Sequence, residues 1–145
     1  MKYFTIVLVM LFSCSTGKDI NNSISESKEI QKLIFRDNYK VPKDNAPFYI
    51  EKAQLINTQL TVIIKYSGGC KDHDFQLYTD GNFLKSFPPK INLYLEHNSN
   101  NDFCKSLLQD TLVFDIQNAK YPGKENNYNV ILLLDGFQKE IIFDY

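Results

Sequence analysis

The sequence has no tryptophan, only two histidines and only three cysteines in its 145 residues. The missing tryptophan removes one hallmark of antibody-type domains. A dominant charge is missing as well, since 16 basic residues stand against 17 acidic ones. A chain so balanced implies no nucleic-acid partner and no polybasic patch for a membrane surface. No amphipathic helical pattern runs beyond about two turns, and no apolar run is long enough to span a bilayer. There is no internal repeat and no sign of a second domain. Aromatics, in contrast, are plentiful: 9 tyrosines and 11 phenylalanines, as suits packed sheets.

The N-terminus does not read as part of the fold. Lys2 precedes an apolar run over 4–12, broken only by Thr5, which ends in Leu11-Phe12-Ser13-Cys14. That is the pattern of a bacterial lipobox, in which Cys14 takes the lipid. An ordinary secretory signal, or an anchor helix that happens to hold a cysteine, is the competing reading. The shortness of the run, the place of the cysteine and the polar tail after it favour lipidation. Residues 1–13 are then a lipoprotein signal peptide. The mature chain would sit in the bacterial cell envelope, held by its lipid to the outer membrane. That compartment lets disulfides form.

Residues 14–46 read as tether and irregular approach. The stretch 15–29 is polar and poor in aromatics. Residues 30–36 fit a helical turn or a short strand equally well. Pro42 and Pro47 bound an irregular segment. The folded domain is expected over 47–145. Leu60, Val62, Ile64 and Tyr66 alternate with Thr61, Ile63 and Lys65, which is a strand period. Phe75 and Leu77 repeat the pattern, then Ile91, Leu93 and Leu95, then Leu112, Phe114 and Ile116. A helical turn is expected over 105–109. Residues 130–134 are apolar on both faces and predict a central strand. Asp135-Gly136 then predicts a hairpin into the last strand. Seven or eight short strands in about 100 residues predict an all-β fold, an antiparallel two-sheet sandwich of immunoglobulin-like architecture with one disulfide. A closed barrel is the main competitor.

The chemistry-bearing residues gather between 66 and 104. Cys70 and Cys104 are 34 residues apart, and His73 and His97 lie close to them in sequence. With Cys14 lipidated, two cysteines remain, and in an oxidising compartment a Cys70–Cys104 bridge is the default. Closing that loop is worth about 3–4 kcal/mol. A sharper reading makes Cys70, His73, His97 and Cys104 a zinc or copper site. A variant keeps the disulfide and takes ligands from His73, His97, Asp72, Asp74 and Asp102. The plainer reading makes the histidines structural. His97 continues the parity of Leu93 and Leu95, so its ring starts on the core side, with backbone or a nearby carboxylate as partner. Gly68-Gly69 permits positive φ and a bulge at the strand end. As a phosphate cradle the pair is weak, with no helix behind it. Tyr78 and Tyr94 fall on the face away from the core and could mark a contact surface.

The residues Ser67-Gly68-Gly69-Cys70, then His73 and Phe75, then His97, Asp102 and Cys104, resemble a pattern in small Bacteroidota-type envelope lipoproteins. NigD-like lipoproteins are similar at a greater distance. The resemblance implies a lipobox, a tether and an immunoglobulin-like sandwich with the disulfide, and it implies no catalytic residue. NigD-like proteins often carry a small barrel before the sandwich, for which this chain has only about 30 residues. Three functions compete. The first is a membrane-anchored binding or structural module, with a protein or glycan partner, no cofactor and no catalysis. The second is a metal-binding lipoprotein using His73 and His97. The third, a hydrolase, has only Ser67, His73 and Asp72 in its favour, and neighbours on one strand end do not make a triad by adjacency.

Overall fold

The computed structural model describes residues 29–123 and 129–145. The expected lipid site at Cys14 and the signal segment lie outside the described residues. The chain opens with two short strands, β1 (Gln31–Lys32) and β2 (Ile34–Phe35). The long antiparallel pair β3 (Phe48–Ile56) and β4 (Gln59–Gly68) follows. Next come β5 (Asp74–Thr79), β6 (Phe83–Leu84), β7 (Lys90–Asn98) and β8 (Ser106–Asp115). A 3-10 turn at Gln117–Ala119 leads on to β9 (Val130–Leu134) and β10 (Ile141–Phe143). Among the described residues no helix is long and apolar enough to cross a membrane.

Two sheets stack face to face, in the order β1-β8-β4-β3 on one side and β10-β9-β7-β5-β2 on the other, with β6 beside β7. The alternation in the sequence decides which residues meet between them. Leu60, Val62 and Ile64 of β4 and Leu112 and Phe114 of β8 face inward. Leu77, Leu93, Leu95, Leu132 and Phe143 meet them from the second sheet, in one apolar cluster. β9 lies between β10 and β7 and is buried on both faces, as its unbroken apolar run requires. The all-β two-sheet sandwich is therefore the fold. Its long ladders are antiparallel, and short parallel pairings join β1 to β8, β2 to β5 and β9 to β7.

Two local expectations give way to pairing. Residues 105–109 form no helical turn: β8 runs unbroken from Ser106, paired with β4 from Gly68 down to Gln59. Ten consecutive ladder pairs outweigh the weak helical pattern of a five-residue stretch. The bulge lies in β3, between Ile50 and Lys52, rather than at the glycines.

The approach segment also carries more structure than its sequence suggests. β1 pairs with the first sheet and β2 with the second, so Leu33 between them is buried where the chain switches sheets. The segment then crosses the outside of the second sheet. Arg36 N–H bonds the Thr79 carbonyl. The Tyr39 ring stacks on Tyr78 with centroids 4.6 Å apart, leans on Tyr94, and donates its hydroxyl to Glu96 at 2.8 Å. Burial, helped by Glu96, pushes the Tyr39 pKa far above the usual tyrosine value. Asn45 and Ala46 finish the strap by bonding to Leu95 and His97 of β7. Tyr78 and Tyr94 are thus not a free contact surface, because the strap covers them. Tyr39→Ala removes a buried stack and a hydrogen bond, and is expected to cost about 2–4 kcal/mol in urea unfolding. Tyr39→Phe, which keeps the ring, should cost about 1 kcal/mol. Equal losses for the two would show that the stack does not hold the strap.

Candidate functional site

Both connections that meet at the disulfide pass from one sheet to the other. The first leaves β4 at Gly68 and enters β5 at Asp74. The second leaves β7 at Asn98 and enters β8 at Ser106. Cys70 sits in the first and Cys104 in the second, bridged with Cα atoms 5.9 Å apart. The disulfide therefore staples the two crossings at one end of the sandwich.

Beneath it lies the Asp102 carboxylate. Its Oδ2 accepts the N–H groups of Gly69, Cys70 and Lys71 at 2.9, 2.9 and 3.0 Å, and its Oδ1 accepts Cys104 N–H at 2.8 Å. Three successive amides curled around one oxygen form an anion nest. Gly69 makes the curl possible, with φ at 115°. Gly69 thus opens an anion cradle that the chain's own carboxylate fills. Those donors, Cys104 first and then Cys70 and Lys71, hold the Asp102 pKa far below the usual carboxylate range despite its burial.

A chain of rings continues inward. His73 Nε2 lies 3.3 Å from Asp102 Oδ2, and its Nδ1 lies 2.7 Å from His97 Nε2. His97 Nδ1 lies 3.1 Å from the Ala46 carbonyl. The proton order follows from the two ends. A carbonyl only accepts, so His97 donates from Nδ1 and accepts at Nε2, and His73 donates from Nδ1. The contact to Asp102 is then a hydrogen bond when His73 carries a proton on both nitrogens. The His73 and Asp102 side chains are 1% and 0% exposed, with His97 behind them. Burial, reinforced by the neighbouring His73, lowers the His97 pKa below the usual histidine value. Aromatic rings wall the pair: Phe75 stacks on His97 at 4.2 Å, and Tyr66 lies 4.7 Å from His73.

Of the residues singled out in the sequence, Cys70, Cys104, His73, His97 and Asp102 come together. Asp72 and Asp74 do not join them. Both are exposed, and Asn100 Nδ2 bonds the Asp72 carbonyl and the Asp74 carboxylate at 2.9 Å each. Ser67 alternates with Tyr66 and Gly68 along β4, so it projects from the opposite face and cannot complete a triad with His73. The metal arrangement fits poorly. Among the described residues the ligand-type atoms that lie within 4.8 Å of one another are those of Cys70, Asp102 and Cys104, whose sulfurs are already bonded to each other. The two imidazole nitrogens that would share an ion are at hydrogen-bond distance, whereas metal bonds of about 2.0–2.1 Å to each need a wider gap.

Sequence reasoning missed three roles. Gly68, read only as part of a strand-end bulge, has one: a Cβ there would fall 2.5 Å from His73 Nε2. Asn100 has another, in the left-handed region with Asn101 and linking the two crossings. The run Asn98-Ser99-Asn100-Asn101 was the available signal, since asparagine tolerates that conformation. Ala46 has the third, and no pattern marks a backbone carbonyl.

The fold can be compared with solved structures. A NigD-like immunity protein from Bacteroides caccae matches with a TM-score of 0.56 and 17% identity, over 77% of this chain and 58% of that one. A protein of unknown function, DUF1344, from Bacteroides vulgatus matches with a TM-score of 0.51 and 17% identity, over 81% of this chain and 57% of that one. The chain spans under three fifths of the length of each. At such identity the likeness establishes a shared sandwich fold. No protein-family model matches the sequence, and no curated protein matches it.

Three outcomes test the site. Gly68→Ala should lower stability by about 1–3 kcal/mol, because the His73 ring is pinned at both nitrogens and cannot retreat; parental melting would mean that the ring is free to move. Reducing the disulfide should cost about 3 kcal/mol, or roughly 10 °C of melting temperature, and chelator should have no effect. Acid should act in two stages. His97 and Asp102 both bind protons more weakly in the folded chain than in the unfolded one, so stability is full above about pH 6.5 and is lost as pH falls. The first loss accompanies proton uptake at His97 below about pH 6.5, and the second accompanies Asp102 below about pH 4. His97→Gln should flatten the first stage and leave the second. Urea midpoints that do not change between about pH 7.5 and 5.5 in the parent would refute the buried neutral His97.

Proposed function

We propose that this protein is a lipid-anchored, non-catalytic binding module of the bacterial cell envelope, held to the outer membrane through Cys14 and presenting the sandwich to a protein or glycan partner. The observation that carries the reading is the state of the cluster of chemistry-bearing residues at Asp102, His73 and His97. Its imidazoles and carboxylate are sealed from solvent, and each polar atom already bonds to the chain itself. Such a cluster holds two sheet crossings in place and offers no nucleophile or open ligand to a substrate. The disulfide supports an oxidising compartment. The Leu11-Phe12-Ser13-Cys14 motif and the resemblance to envelope lipoproteins support the anchor.

The test is direct. In the producing cell, globomycin or Cys14→Ala should leave uncleaved precursor. Normal-sized, unlipidated mature protein from the mutant would refute the anchor. Purified parent should carry no metal in stoichiometric amount and no free thiol, with Cys14, whose sulfur is a thioether once lipidated, set aside. Two further thiols with bound zinc or copper, and melting that responds to chelator, would favour the metal-binding alternative built on His73 and His97.

A further inference from the structure

The two sheets are not closed along one side. β3 ends the first sheet and β10 ends the second, and each pairs with a neighbour on one side only. Between them runs a groove of about 760 Å³. Its floor is apolar: Ile50 and Ile141 are buried core residues, and Ala53, Leu55 and Phe137 pack against the core from partly open positions. Gly136 closes one end, where the β9–β10 turn lies against Ile50. One lip is the unpaired edge of β3, and the other is the loop 136–140 running into β10. A free strand edge with apolar side chains below suits a strand added to β3. The backbone then supplies affinity, and alternate side chains supply choice.

Charge on the lips selects the occupant. Four charged residues line the groove: Glu51, Lys52, Lys139 and Glu140. Both glutamates are neutralised from outside it, Glu51 by Lys65 and Glu140 by Lys90, each at 2.6 Å. Among the described residues Lys52 and Lys139 have no acidic partner, and both are exposed. The groove therefore presents a net positive rim.

We propose that the β3/β10 groove binds an extended segment of a partner protein in which apolar residues alternate with aspartate or glutamate. This deepens the binding-module reading and rests on it. The apolar residues would point to Ala53, Leu55 and Phe137, and the acidic ones would face Lys52 and Lys139. A second copy of this chain fits worse. Lys52 is the central residue of the nine-residue β3, so a two-fold antiparallel pairing of β3 strands sets Lys52 opposite Lys52. β1, where the described residues begin, lies at the opposite edge of the first sheet from β3.

The test uses the full chain in detergent micelles and a labelled peptide of about eight residues alternating valine with aspartate or glutamate, read by fluorescence anisotropy. Saturable binding is expected, weaker at high salt. The matching lysine peptide should bind at least about tenfold more weakly. The Lys52→Glu/Lys139→Glu variant, with both changes on exposed side chains, should melt like the parent, lose about tenfold in affinity for the acidic peptide and gain for the basic one. No saturable binding, equal affinity for the two peptides, or indifference to the double substitution would each overturn the proposal. A concentration-dependent dimer abolished by the double substitution would overturn it in favour of self-pairing. A failed groove leaves the lipidation and metal tests of the anchored module standing, and a failed anchor is visible at Cys14 whether or not the peptide binds.

Discussion

One buried carboxylate organises the end of this sandwich. Asp102 gathers four backbone N–H groups from two separate crossings and faces the His73 ring. Each crossing carries chain between sheets, and without the carboxylate the three successive amides of the first would converge on no acceptor. The disulfide lies directly over this set and limits how far the crossings separate when the protein is unfolded. The two devices divide the work. The covalent bridge acts mainly on the unfolded chain, and the carboxylate defines the folded conformation.

The buried carboxylate carries a constraint of its own. A buried charge is tolerable when it is paired and fully bonded, and becomes costly when one partner is removed. The His97 ring and the Ala46 carbonyl finish the bonding of His73, so the strap of residues 36–46 is tied to the same network as the crossings. Phe75 and Tyr66 exclude water from the rings. The end of the molecule that looks most like a catalytic site in sequence is thus its most heavily cross-linked part. The opposite character is found along the β3/β10 side, where strand edges are unpaired and the rim charge is uncompensated. Binding surfaces belong in such places, because edges left open by the fold can still form hydrogen bonds.

Much of the fold was legible in the sequence. Alternation at Leu60, Val62 and Ile64 and at Ile91, Leu93 and Leu95 marked the inward faces, and the same parity placed the His97 ring inside at 2% exposure. The period of two is a local property, readable from a few residues. Residues 105–109 misled because their pairing partner, β4, lies some 40 positions upstream and local propensity is weak against a ladder. Tyr78 and Tyr94 misled for a related reason. Parity says which face a side chain takes, but not whether a distant segment such as the Tyr39 strap crosses over it.

Cysteine count and compartment pointed to the Cys70–Cys104 pairing, and strand period pointed to a two-sheet sandwich. The first rests on residue count and the second on a period of two, and both can be read without knowing which segments meet. Only the tertiary structure decided that Gly68 must be bare to admit the His73 ring, that Asp102 fills the amide nest made by Gly69, Cys70 and Lys71, and that Ala46 sets the proton order of the histidines. The last two depend on backbone groups that lie 31 to 51 positions away along the chain. A backbone amide or carbonyl is the same at every residue, so the sequence bears no mark of which ones will meet.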